Sequence, residues 1–299
     1  MSKNILIYDT TLQDSPDWPA PPLSTLARRN IAQMLDSLGI DYLEVSVGEA
    51  GSEGGSRHHE FSNLLLKHAR LVAAAPLPLE SDALAGRRWV DSLLSLEVPT
   101  CTLIARAVNS PLAEDPDRWD PYFGAVLAGI KELKSRGKEV FLEVEDFFQG
   151  YKQAMKFTVR HLAVGEAAGV DRVILNETTG GTLPWEAGTI VHELFRKFPQ
   201  VKLGIHFHDA GHSAVAGALT AVDQGAVHVQ GSINGFGSRS GEANLCNIIP
   251  DLELVMGYAC LPAGNLPRLL DVAQYLKGTR ADSLERTMRY VGRSELKPI

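Results

Sequence analysis

Apolar and polar positions along this chain follow two periods in turn. Runs with strand character fall at residues 5–11, 42–47, 70–75, 100–107, 139–145, 172–177, 202–208 and 228–234. Between them, residues 23–38, 121–135, 152–168, 184–198 and 213–224 space their apolar side chains as an amphipathic helix does, at i, i+3 and i+4. Strands alternating with helices predict a parallel sheet, and eight such units predict a TIM (β/α)8 barrel more naturally than an open doubly wound sheet. No Gly-x-Gly-x-x-Gly turn follows the first strand, which argues against a dinucleotide site. After residue 258 the pattern becomes helical through residues 266–290. The expected organisation is therefore a barrel over residues 1–258 and a helical extension over 259–299.

Composition narrows the function. A chain of 299 residues with 44% hydrophobic and 22% charged residues can bury the core of one large domain. The net charge is −7 with Lys and Arg scattered, so nothing presents a broad basic face to nucleic acid. No apolar stretch approaches the roughly 18 residues that span a bilayer, and the N-terminus runs straight into a strand pattern, so a cytoplasmic protein without a membrane partner is expected. Cys101, Cys246 and Cys260 are odd in number and widely spaced, which fits buried thiols in a reducing compartment.

Barrel chemistry gathers at the C-terminal ends of the strands. There, on the seventh strand, His206 and His208 stand two residues apart, so both imidazoles face the same way and can reach one metal ion. A carboxylate added to two histidines, with positions left open, is how a divalent cation is held for Lewis-acid work. Asp14, after the first strand, is the first choice for that carboxylate, and Glu242 is a candidate fourth ligand. Gln13, Glu145, Glu177, His212 and Arg239 are candidate catalytic residues; Asp9, Thr10, Glu44, Thr178 and Arg57 are candidate substrate-binding residues. Plainer roles compete: hydrogen bonding at the mouth for Glu44, Glu145 and Glu177, a loop ion pair for Arg239, a helix-start surface position for His212 and a solvated loop for Arg57.

Asp9-Thr10-Thr11-Leu12, His206-Phe207-His208 and Asn234-Gly235-Phe236-Gly237-Ser238-Arg239-Ser240-Gly241 together resemble the DRE-TIM metallolyases, the family of isopropylmalate, homocitrate and citramalate synthases. The citramalate branch is the nearest likeness, through Asp146-Phe147-Phe148-Gln149-Gly150-Tyr151-Lys152, Gly180-Gly181-Thr182-Leu183-Pro184 and Asn244-Leu245-Cys246-Asn247-Ile248-Ile249-Pro250. The resemblance covers about residues 4–258. It implies a divalent metal (Mg, Mn or Zn) on Asp14, His206 and His208, a 2-oxo acid acceptor, an acyl-CoA donor and a homodimer.

The chain also departs from the family. Gln13 stands where the family has an arginine, so the contact to the substrate oxygen keeps a hydrogen-bond donor and loses its charge. Glu177 replaces the sixth strand's aspartate, and Glu242 puts an anion where the family has a neutral ligand. Residues 289–294 resemble the segment that precedes the family's C-terminal histidine and regulatory domain, so neither is expected here. Three activities remain open: a synthase with altered specificity, a lyase or aldolase cleaving a hydroxy acid or hydroxyacyl-CoA, and an inactive paralogue that binds metal or a partner.

Overall fold

In the computed structural model, which describes residues 4–13, 23–47, 57–61, 63–77, 83–108, 112–237 and 241–279, all the predicted strands form and close on themselves. β1 (Leu6–Asp9), β2 (Tyr42–Val47), β3 (Arg70–Pro76), β4 (Thr100–Arg106), β5 (Glu139–Glu145), β6 (Arg172–Glu177), β7 (Leu203–Phe207) and β8 (His228–Gly231) lie in chain order as one closed barrel. Every pairing is parallel, and β8 returns to β1 in register from Leu6↔His228 to Asp9↔Gly231. The first and last strands are shorter than their sequence runs. Thr10 and Thr11 turn the chain after Asp9, and Asn234, in the left-handed region at φ 61°, sits within a short 3-10 turn after β8.

Helices cover the outside: α1 (Thr25–Leu38), α2 (Ala83–Ser95), α3 (Trp119–Ser135), α4 (Phe147–Gln153), α5 (Met155–Ala168), α6 (Pro184–Lys197), α7 (Ala214–Asp223), α8 (Leu245–Pro250) and α9 (Leu269–Thr279). The helix predicted over 152–168 is really two, because the backbone leaves helical geometry at Ala154 (φ −138°, ψ 49°). The sequence pattern also misses α2, where Gly86 and the Arg87-Arg88 pair interrupt the apolar spacing. α1 is delimited by local chemistry: the Ser24 side chain accepts from Ala27 N at 3.2 Å, and Gly39 ends the helix at φ 98°, a conformation glycine adopts without strain.

Strand parity sorts side chains into two cores. Outward-facing Leu142, Leu175, Ile205 and Val229 pack with helix residues such as Ile31 and Leu35, all fully buried. Inside the barrel a separate layer of Tyr8, Tyr42, Val72, Phe141 and Ile174 fills the lumen. The His228 ring sits among these aromatics, 5.3 Å from Phe141 and 5.5 Å from Tyr8. Toward the N-terminal ends of the strands, the Arg172 guanidinium lies 5.1 Å from the Phe141 ring centre and donates to Glu139 at 3.2 Å. This layer closes the floor of the barrel and leaves the opposite end, the mouth, polar.

Past residue 258 the chain packs onto the barrel. Ile5 N donates to Ala259 O at 2.9 Å, Leu269, Val272 and Leu276 of α9 are buried in the outer core, and Asn234 Nδ2 donates to Ala273 O at 2.9 Å. No helix among the described residues is long and apolar enough to cross a membrane. Leu35 tests the outer core: Leu35→Ala removes a fully buried side chain and is expected to lower unfolding free energy by about 2–5 kcal/mol in denaturant titration.

Candidate metal centre at the barrel mouth

His206 lies on β7, and its neighbours in the sheet are fixed by register: Asn176 on β6 and Gln230 on β8. His208 follows at the strand end, its ring centre 5.0 Å from that of His206. Glu242 reaches the same place by a return of the chain. His208 and Glu242 form an antiparallel bridge, Asp209 N donates to Gly241 O at 2.9 Å, and Ala243 N donates to Phe207 O at 2.9 Å. Two glycines permit this close return: Gly241 has φ 93°, and a Cβ on Gly231 would stand 2.3 Å from Ala243 O. The result is a buried trio, His206, His208 and Glu242, whose donor atoms lie within 4.8 Å of one another.

The trio fits a divalent cation. His206 Nε2 is buried without a hydrogen-bond partner and stands 4.0 Å from Glu242 Oε2. A buried ring nitrogen left without a partner is costly, and a bound cation would meet it. Two imidazoles and a carboxylate suit metals of borderline or hard character. Asp14 and Arg239 lie outside the described residues, as does the side chain of Arg57.

More carboxyl groups crowd the site. Glu44 accepts from Tyr8 Oη and from Gln13 Nε2, and burial with the neighbouring Glu143 carboxylate pushes its pKa up to about 8. Glu143 accepts from Asn176 Nδ2 at 2.6 Å and lies 3.6 Å from His206 Nδ1; burial raises it and Glu242 above the usual carboxylate range. Burial alone would lower the His206 pKa, but the Glu143 and Glu242 carboxylates reverse the sign and raise it. Thr10 Oγ1 is within hydrogen-bonding reach of Gly231 O at 3.0 Å and of Glu242.

The other expected site residues sit around this centre. Glu145 is at the rim, 2.7 Å from Arg106. Asp9 is fully buried, pushed up to about 7 by burial, and bonded by Thr11 N and Oγ1 at 2.9 and 2.8 Å, so it shapes the turn after β1. Thr178 Oγ1 accepts from Asp146 N at 2.8 Å and ties the end of β5 to β6. Glu177 faces away from the lumen and accepts from Gly180 N, organising the β6–α6 turn. His212 is turned to Asp209, its Nδ1 3.7 Å from Oδ2. The structure thus brings His206, His208, Glu242, Thr10, Glu44 and Gln13 to the mouth, and gives Asp9, Glu177 and His212 other surroundings.

Glu143 and Asn176 stand among the polar residues at the strand ends without a role that the sequence assigns, and Gln230 carries no mark in the sequence at all. The signal was present in β5, where Glu139, Phe141, Glu143 and Glu145 share one parity and Val140, Leu142 and Val144 the other. Charge on the lumen side of a barrel strand marks a polar interior.

Residues 119–275 match the HMGL-like family model. An (R)-citramalate synthase from Aquifex aeolicus is 32% identical over 98% of this chain and 56% of its own length. A 2-isopropylmalate synthase from Shewanella baltica is 28% identical over 88% of this chain and 50% of its own length. The chain therefore spans about half the length of these relatives. Among solved structures, an HMG-CoA lyase from A. baumannii in complex with coenzyme A and 3-methylmalate superposes with a TM-score of 0.72 at 16% identity, covering 99% of this chain and 98% of that one. A hydroxymethylglutaryl-CoA lyase from Pseudomonas aeruginosa gives a TM-score of 0.72 at 14% identity over 97% of this chain and 96% of that one. At these identities the likeness is one of fold, and it agrees with the closed barrel.

Two outcomes follow from the site. The protein purified with Mn or Zn is expected to carry one divalent ion per chain by elemental analysis, and both His206→Ala and Glu242→Ala to lose it; full retention in either would remove that residue from the ligand set. In the metal-free chain, a Glu44 pKa raised from 4.5 to about 8 means that the folded state holds a proton the unfolded state has released. Its contribution to stability therefore falls as pH rises between those values. Relative to wild type, Glu44→Gln is expected to gain stability across that window, by on the order of 5 kcal/mol or less at about 1.4 kcal/mol per pKa unit; parallel stability–pH curves for the two proteins would contradict this.

Proposed function

Because the chain belongs to the HMGL-like family, we propose that it is a divalent-metal-dependent acyltransferase, joining an acyl-CoA to a 2-oxo acid as citramalate and 2-isopropylmalate synthases do. The observation that carries this reading is the buried His206, His208 and Glu242 trio at the mouth of a barrel aligned over 98% of this chain with a citramalate synthase. The homodimer and the choice among Mg, Mn and Zn are part of the same proposal.

His206, His208 and Glu242, with Asp14 as a further ligand, would hold a divalent cation, which would supply positive charge to the acceptor's carbonyl oxygen. Gln13, steadied by Glu44, has a second amide hydrogen to offer to that oxygen. Glu145, held by Arg106 at the rim, accepts the proton lost from the α-carbon of the acyl-CoA. That carbon bonds to the ketone carbon as the C=O π bond opens, the ketone oxygen takes up a proton and stays on the product as a hydroxyl, and water hydrolyses the thioester to a carboxylate and the free CoA thiol. Cleavage of a hydroxy acid or hydroxyacyl-CoA would use the same groups in reverse. The lyase solved with coenzyme A has the same fold as this chain and makes cleavage the second reading.

Thiol release from acetyl-CoA with a panel of 2-oxo acids and Mg, Mn or Zn tests the proposal. Release is expected to require both acid and metal, and Gln13→Arg to raise the rate with pyruvate by on the order of tenfold or more, through a charge-assisted contact. Liberation of acetyl-CoA or a 2-oxo acid from hydroxy acids, with no thiol release, would reassign the chain to cleavage. Neither reaction in a metal-loaded protein would make it a binding paralogue.

A further inference from the structure

The two ring nitrogens of His206 meet different surroundings. Nδ1 lies 2.7 Å from Gln230 Oε1 and 3.6 Å from Glu143 Oε1, both acceptors. Nε2 is buried, makes no hydrogen bond and faces Glu242. A neutral imidazole carries one hydrogen and one lone pair, so whatever accepts at one nitrogen decides which nitrogen can bind a cation. His206 and Gln230 are register partners on adjacent central strands, and Gln230 is 1% exposed. The contact is therefore built into the rigid sheet and not into the loops around the mouth.

We propose that Gln230 is a positioning residue whose amide oxygen holds His206 as the Nδ1–H tautomer and so presents Nε2 to the divalent cation. This rests on the metal reading above. The amide suits the place electrostatically. Glu44, Glu143 and Glu242 already put three carboxyl groups into the buried mouth. An uncharged acceptor orients the ring without adding another. The opposite amide orientation would donate to Nδ1, drive the ring hydrogen onto Nε2 and block ligation, so the two arrangements give opposite protonation patterns. Contacts of this kind to the far nitrogen of a ligating imidazole fix the ring's orientation, and their loss typically costs about 10–100-fold in metal affinity.

The test uses the full chain labelled with 15N-histidine, stripped of metal and held at alkaline pH so that His206 is neutral. Two-bond 1H–15N spectra of wild type, Gln230→Leu and Gln230→Glu report the tautomer, and calorimetric titration with MnCl2 and ZnCl2 reports affinity. Wild type is expected to be protonated at Nδ1. Gln230→Leu is expected to mix tautomers and bind about 10–100-fold more weakly, and Gln230→Glu, which keeps an acceptor, to retain Nδ1–H and bind within about tenfold of wild type. A wild-type His206 protonated at Nε2 overturns the proposal, as does Gln230→Leu with an unchanged tautomer and an affinity within about threefold. If Gln230→Leu fails to fold, the wild-type and Gln230→Glu spectra decide alone: Nδ1–H in both supports the role, and Nε2–H in either refutes it. A wild-type chain that binds neither ion sinks the metal reading and the presentation of Nε2 with it, while its tautomer still reports whether Gln230 holds the ring.

Discussion

Burying carboxyl groups inside a barrel is the constraint around which the rest of this molecule is arranged. Each of the three in the mouth is met by a donor from another part of the chain: Glu44 by Tyr8 and Gln13, Glu143 by Asn176, and Glu242 by Thr10. Hydrogen bonds make such burial tolerable without cancelling the charge. The raised proton affinities of Glu44, Glu143 and Glu242 all trace first to burial. The same imbalance that makes these groups reluctant to ionise makes the mouth receptive to a dication, and the uncharged Gln13 does nothing to relieve it.

The architecture was legible because every strand carries its own periodicity and because alternating units leave few topologies open. The boundaries that shifted did so for local reasons. Thr10 and Thr11 turn toward Asp9 and Glu242 instead of prolonging β1, and Ala154 breaks a helix whose apolar spacing runs on without interruption. α2 was hidden by glycine and paired arginines on a segment whose place in the barrel, between β3 and β4, demands a crossover.

The site was legible in part. His206 and His208 could be paired from strand parity alone, and Glu242 from the glycine-rich return that brings it back. What spacing could not convey was lateral register. Which residues of β6 and β8 flank His206 depends on how far adjacent strands are offset, and that is a property of barrel closure. Hence the sequence gives no sign that Asn176 and Gln230 flank His206, although both are polar in apolar strands. Glu177 illustrates the converse: it is an acid at a strand end, as barrel catalysts often are, yet its parity turns it toward the helices and into the β6–α6 turn.

The aromatic and arginine floor has a consequence for traffic. With Tyr42, Phe141, His228 and Arg172 packed across the lumen beneath the polar residues, the barrel is a well with one opening. Among the described residues, a molecule resting against that floor is reached only past the polar groups of the mouth, so the rigid barrel itself, with no moving part, fixes the side from which it is approached.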